Sequence, residues 1–287
     1  MSRNINDGAA PIFAFWEPRG NIYPYLALCM ETWEKIGRKV IILDYDNVRD
    51  YISEDDYKLL MHTKHHFTLP QIGDAVRVMV LHKQRRGIWL DVDTVIAGGF
   101  KELEDAAVGS GLALIDKHIG FIIADNSSIL DRWHAELVKK MDHDTYTHVS
   151  LLKRVWRTAK MAKYTLCNQP EKIEVLLSYI RNDIGWDYLG NAIVNPMLAD
   201  ATRKEYYNLA KTIPYERLLP ESAARYDTPY DRYVNFYFNE KDDVKISSPM
   251  ITLHNSWTPD DYKALSRKQI LADKRRLSKI LQKNVIK

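Results

Sequence analysis

Residues 73–95, GDAVRVMVLHKQRRGIWLDVDTV, contain two carboxylates one residue apart, Asp91 and Asp93. Ile88-Trp89-Leu90 just before them is a short apolar run of strand type, so the aspartates fall where a buried strand ends and a loop opens. Open α/β sheets bind their ligands at that edge. Hard divalent cations such as Mn²⁺ and Mg²⁺ prefer carboxylate oxygens and keep open positions that substrate phosphates can fill. The pair therefore points to metal-assisted chemistry on a phosphorylated substrate. Two aspartates in a loop are also ordinary turn formers, so what surrounds them decides how much they mean.

Residues 74–84 read as a helix opened by Gly73 and Asp74 and stopped by Gly87, with Val76, Met79, Val80 and Lys83 along one face. Asp74 and Arg77 are three apart and share one face of the first turn, close to the sheet edge that carries Asp91. On their own they fit a helix-start acid with a neighbouring ion pair. Followed by the strand and its two aspartates, they fit a substrate-facing pair equally well.

DAVRVMVLHKQRRGIWLDVD resembles the Asp-x-x-Arg, helix, Gly, Ile-Trp/Tyr-Leu-Asp-x-Asp pattern of sugar-nucleotide glycosyltransferases with the GT-A fold. The similarity is to the capsular polysaccharide synthesis and glycosyltransferase family 32 groups, relatives of family 8 and of the large clostridial glucosylating toxins. The resemblance implies an α/β, Rossmann-like, mostly parallel sheet flanked by helices. It makes Asp91 and Asp93 ligands of manganese or magnesium on the donor diphosphate, and Asp74 and Arg77 contacts to the donor sugar; these four are the candidate catalytic residues. The implied reaction moves a hexose from a nucleotide sugar, UDP-linked, to a hydroxyl of a capsule or lipopolysaccharide type glycan acceptor, with retention of configuration. The family usually has Gly-Gly before the strand, whereas this chain has Arg86-Gly87.

The N-terminal half supports a nucleotide-binding fold. Residues 11–16 and 39–44 read as strands, 24–36 as a helix capped by Gly37, and Ser53 to Asp56 as a Ser-x-x-acid helix start. Strands alternating with helices imply a largely parallel sheet. Trp16 ends the first strand on the edge that also carries Asp91, where an indole can stack on a nucleobase or roof the core; related transferases place a Trp near the uracil.

After the aspartates, Gly98-Gly99-Phe100 reads as a turn, and 112–115 with 119–124 as a hairpin around Asp116-Lys117-His118. His118 and Asp125 are acceptor-side candidates, each also explicable as a polar turn residue. Residues 128–141 and 147–163 read as helices, the second crowded with Lys153, Arg154, Arg157, Lys160 and Lys163: a solvated face, or a surface for an anionic lipid-linked acceptor. Gly190 and Asn191 stand where family 32 relatives carry a Gly-Pro acceptor turn, without the proline. Residues 233–238 read as a strand, and 251–253 lead into His254-Asn255-Ser256-Trp257. His-x-Ser-Trp looks like the closing element of such transferases, which makes His254 a third metal ligand and Ser256 and Trp257 donor-diphosphate contacts. A ligating His must be neutral, and an indole N–H on a phosphate oxygen would offset leaving-group charge.

At 287 residues the chain has room for one large domain, read as 1–258 with a helical insertion around 128–210, followed by a basic amphipathic helix at 259–287. Nine Lys and Arg against three Asp in residues 260–287 suit either an anionic membrane surface or a helix packed on the body. The near-balanced charge of +3 argues against a nucleic-acid partner. Cys29 and Cys167 form no metal or redox motif, and neither a signal-peptide pattern nor a long apolar window is present, so a cytoplasmic protein is expected, with peripheral contact to the inner membrane face. Two other functions fit the aspartates. In a haloacid-dehalogenase-type phosphatase Asp91 would be the nucleophile and Asp93 the acid/base, but that motif belongs on a first strand, and here two strands precede it. A non-catalytic nucleotide-sugar or glycan-binding protein would differ only in lacking turnover.

Overall fold

A computed structural model describes residues 9–143, 151–182, 185–211, 228–240 and 248–285. Its elements run β1 (Ile12–Phe15), α1 (Pro24–Glu31), β2 (Val40–Leu43), α2 (Glu54–Thr63), α3 (Leu69–Gln84), β3 (Arg86–Leu90), β4 (Thr94–Ile96), α4 (Phe100–Ala107), β5 (Leu112–Ile115), β6 (His118–Asp125) and α5 (Ser128–His143). They continue with α6 (Leu151–Leu166), α7 (Pro170–Asn182), α8 (Asn191–Ala199), β7 (Tyr206–Asn208), α9 (Pro229–Val234), β8 (Met250–Thr252), α10 (Asp260–Lys263), α11 (Arg267–Ile270) and α12 (Arg276–Asn284). The six-stranded sheet has the order β2-β1-β3-β6-β5-β7, and β6 alone runs against its five companions. This is the mostly parallel α/β sheet that the alternation of strands and helices implied.

Strand residues alternate between two cores, because successive side chains leave a strand on opposite faces. Ile12, Ala14, Ile88 and Leu90 enter one core, together with α1, the β4–β8 ladder and the C-terminal helices. Phe13, Trp89, Leu112 and Ile122 enter the other, beneath α3, α5 and α8. Buried on both faces, the strands read as continuous apolar runs.

Helix α3 starts earlier than expected. Thr68 and Gln71 form a capping box, with the Thr68 N–H donating to Gln71 Oε1 at 2.8 Å, and Pro70 sits in the first turn. Asp74 and Arg77 are thereby carried into the buried middle of a helix rather than its first turn. The helix ends at Gln84 as expected, but the residue that stops it is Arg85, whose φ is 63°. Gly87 is a strand residue instead of a helix stop. A Cβ there would lie 2.9 Å from the Phe13 ring, so glycine lets β3 pack closely on β1.

Two C-terminal expectations are corrected. Residues 233–238 are the end of α9 and a wide π turn, Asn235–Asn239, not a strand. Their aromatic content suggests strand, but Thr228 caps the segment by accepting the Asp231 N–H at 3.1 Å, Pro229 follows, and Tyr233, Phe236, Tyr237 and Phe238 all bury into the first core. The tail is three short helices rather than one, because a second capping box at Ser266 and Gln269 restarts the chain. Its apolar face is already in use: Tyr262, Ile270, Leu277, Ile280 and Leu281 are core residues. Buried Arg276 pairs with Glu240 at 2.6 Å. The described tail residues thus pack this face on the body, and no described helix is long and apolar enough to cross a membrane. In α6, Arg157 is buried rather than solvated, whereas Lys163 is exposed; the side chains of Lys153 and Arg154, with residues 147–150, lie outside the described residues, as do residues 1–8.

Replacing Leu277 by Ala therefore lowers unfolding free energy by about 2–5 kcal/mol in denaturant titrations, the cost of a core truncation. A tail held out for lipid would tolerate the change with no shift in midpoint.

Candidate functional site

The geometry starts from strand β3. Trp89 and Asp91 are two residues apart and project to the same side, the side on which α3 lies, and the Trp89 indole donates to Asp91 Oδ1 at 2.9 Å. Backbone bonds fix the turn: Asp91 N–H to Gly120 O at 2.8 Å and Thr94 N–H to Asp91 O at 3.0 Å. From α3, Arg77 reaches both neighbouring acids, donating to Asp74 Oδ1 at 2.6 Å and to Asp91 Oδ1 at 2.7 Å. Its side chain is 5% exposed, whereas that of Asp91 is 36% exposed.

Residues from the far end of the chain complete the turn. Strand β4 pairs antiparallel with β8, Thr94 opposite Thr252, and the ladder continues as Leu253 N–H donates to Asp93 O at 3.0 Å. The His254-Asn255-Ser256-Trp257 turn therefore arrives at Asp93, and the Asn255 N–H donates to Asp93 Oδ2 at 3.1 Å. Tyr25 on α1 holds Asn255 in place by donating to its side-chain oxygen. The group that reaches Asp93 is thus the Asn255 amide. His254 lies against Trp257, ring centroids 4.2 Å apart, and does not form with Asp91 and Asp93 a ready three-ligand cluster among the described residues. Ser256 is exposed, and Trp257 is half-buried edge-on to Tyr233.

Two glycines make room for the acids. A Cβ on Gly190 would lie 2.4 Å from Asp74 Oδ2, and one on Gly120 would lie 2.4 Å from Asp91 Oδ2 and 2.8 Å from the His118 ring. Gly190 and His118 are accordingly part of the cluster. Asn191 opens α8 beside them with its side-chain oxygen buried and unpartnered. Asp125 is not part of it: it pairs with Arg86, at the other end of β3, roughly 16 Å along the strand from Asp91. Trp16 follows β1 on the same sheet edge as Asp91, and its buried indole N–H has no hydrogen-bond partner. Trp89, Asn255 and Tyr25 were missed. The period-2 spacing of Trp89 and Asp91 was a signal for the first, but no local pattern announces the other two.

Electrostatics set the three carboxylates apart. Burial alone would raise Asp91, but Arg77 and His118 beside it, with the Trp89 N–H, hold it below the usual carboxylate range. Burial pushes Asp74 up to about 6 despite Arg77. Asp93, raised by burial and then by the neighbouring Asp91 charge, reaches about 7. One guanidinium serves three acids, and Asp93 is the one left without a countercharge. Oxygen donors with surplus negative charge at a sheet edge suit a hard divalent cation, so Asp91 and Asp93 could hold Mn²⁺ or Mg²⁺.

No family model and no curated protein matches the chain. Among solved structures it is similar to one described as "PaToxG Glycosyltransferase", at 13% identity and a TM-score of 0.36, over 65% of this chain and 86% of that one.

The raised values fix the sign of a pH dependence. Between about pH 4 and pH 7 the folded chain holds protons on Asp93 and Asp74 that the unfolded chain has released, so their contribution to stability falls as pH rises through this window. His66 and His82, lowered by burial, contribute in the opposite sense, so the measurement is a difference: the thermal midpoint of cation-free Asp93→Asn should gain on that of the unaltered chain from about pH 5 to about pH 7.5. A difference that stays constant or shrinks with pH would contradict the charge balance described.

Proposed function

We propose that this protein is a metal-dependent glycosyltransferase that moves a hexose from a nucleotide sugar, UDP-linked, to a hydroxyl of a surface glycan of capsule or lipopolysaccharide type, with retention of configuration. The observation that carries the reading is the convergence at one sheet edge of Asp91 and Asp93, the buried Asp74–Arg77 pair and the Asn255 amide, with more carboxylates than the one guanidinium answers. Asp91 and Asp93 would hold Mn²⁺ or Mg²⁺, which as a Lewis acid would stabilise the departing diphosphate.

The chain's own groups divide the remaining work. Arg77 keeps Asp91 ionised and aimed, and Asp74 fixes Arg77 while presenting its second oxygen beside Gly190 toward the donor sugar. The Asn255 N–H pins one oxygen of Asp93, which orients its carboxylate. The unpartnered Trp16 indole N–H is a donor that a nucleobase carbonyl would satisfy, and a buried donor left unmatched costs about 1–3 kcal/mol. Ser256 and Trp257 would contact the diphosphate, and His118, Gly190 and Asn191 would serve the acceptor side. His254 would join the metal shell only by swinging off Trp257. A phosphatase using Asp91 as nucleophile is disfavoured, because its Oδ1 already accepts from both Arg77 and Trp89 and that chemistry leaves Asp74 without a role.

Incubation with a panel of nucleotide sugars and Mn²⁺ should release free nucleoside diphosphate, reduced to background in Asp93→Ala. Near-normal metal-dependent release in that variant would sink the assignment, and phosphate release from monoesters would replace it with a phosphatase. Trp16→Phe should raise KM for the donor more than it lowers kcat, since it removes binding to a remote part of the substrate.

A further inference from the structure

Across the second core from the Asp91 turn, three helices bring together residues to which the proposed transferase chemistry assigns no part. Asp56 on α2, His82 on α3 and His134 on α5 each offer one ligand atom, and the three atoms lie within 4.8 Å of one another. The His134 Nε2 and Asp56 Oδ1 are 2.8 Å apart. The two imidazoles stack face to face, centroids 3.9 Å apart and planes 8° from parallel.

Helix capping does not account for Asp56. Its backbone N–H caps onto Ser53 Oγ at 3.0 Å, yet the residue is only 3% exposed and its Oδ2 is buried with no partner. A carboxylate oxygen taken out of water is normally matched by a donor or a cation. Here the neighbours that would supply the match are two histidines, whose side chains remain 31% and 18% exposed and so leave a route from solvent. Asp131 stands beside His82, its Oδ1 3.4 Å from His82 Nε2, and is held by Arg85.

We propose that Asp56, His82 and His134 form a second metal site, selective for a borderline cation of the zinc class and distinct from the carboxylate pair at Asp91 and Asp93. The donor set decides the metal class. Two imidazole nitrogens and one carboxylate oxygen suit Zn²⁺ or Co²⁺, whereas Mg²⁺ and Ca²⁺ call for all-oxygen shells. Metal–ligand bonds of about 2.0–2.1 Å in a tetrahedron place ligand atoms about 3.3 Å apart, so the His134–Asp56 contact opens by about half an ångström when the ion replaces the shared proton. An imidazole binds a metal in its own plane, so binding also requires the partly exposed His82 ring to turn out of its stack on His134. Asp131 or water takes the fourth position; if Asp131, it gives up Arg85. Since each ligand comes from a different helix, the ion would clamp α2, α3 and α5, and α3 also carries Asp74 and Arg77. The site would be structural rather than catalytic.

The test uses the full chain, stripped of metal with a chelator and then titrated with Zn²⁺ or Co²⁺. Zn²⁺ should raise the thermal midpoint by several degrees, and Co²⁺ should give the intense visible bands of a tetrahedral site. Both signals should survive in Asp91→Asn, which leaves this cluster intact, so they are read independently of any transferase activity. His134→Gln and Asp56→Asn, which keep shape and hydrogen bonding, should each weaken Zn²⁺ binding at least about tenfold, the loss seen even when a group that merely supports a ligand is removed. Weak octahedral bands from the unaltered chain, or equal Zn²⁺ affinity in His134→Gln, would overturn the proposal.

Discussion

A single guanidinium placed among three carboxylates organises the region around Asp91. Arg77 is buried, and a buried cation is tolerated only when its charge is answered at close range. Asp74, one helical turn away, and Asp91, at the end of β3, supply that answer and tie α3 to the sheet edge. Removing either acid would leave a charge stranded in the second core. Because Arg77 is hydrogen-bonded to these two, Asp93 is held by backbone N–H groups, its own and that of Asn255, and burial beside the Asp91 charge raises its pKa. The glycines at 120 and 190 belong to the same constraint: the carboxylates occupy the volume in which a methyl group would sit.

The turn lies where the two cores meet. Trp89, Arg77 and Asp74 reach it from the α3 side, and Tyr25 and Asn255 reach it from the side of α1 and the β4–β8 ladder. Each core can tolerate rearrangement only so far as the other keeps station, since closely packed interiors transmit displacements instead of absorbing them.

Local chemistry made much of this legible in the sequence. Asp91 and Asp93 follow an apolar strand, Gly98 and Gly99 both have positive φ before α4, and the hairpin around Asp116 forms where the apolar runs placed it. What escaped depends on partners distant in sequence. The aromatic residues at 233–238 have strand-like composition, and only the Thr228-Pro229-x-Asp231 start, read as a cap, would have marked a helix. The early start of α3 was signalled by Thr68 and Gln71, but Gly73 drew attention away from them. Asn255 works through its backbone N–H, which any non-proline residue carries, so its side-chain identity says nothing about that bond. Asp56, His82 and His134 follow no spacing motif, because three separate helices deliver them. Asp125 was placed wrongly for a geometric reason: it lies at the end of β6 opposite to the one that reaches Asp91.

The β4–β8 ladder joins positions that leave the ribosome far apart in time. Asn255 and Asp93 are separated by 162 residues, and every strand of the large sheet is synthesised before the strand that brings Asn255 in. A nascent chain can lay down the sheet, α3 and the Arg77 network while the Asp91–Asp93 turn still lacks its final wall. Closing so long a loop comes late and slowly in folding. The Asp91–Asp93 turn thus acquires the Asn255 amide that pins Asp93 only as the C-terminal segment docks, so the geometry of this turn is among the last parts of the fold to be completed.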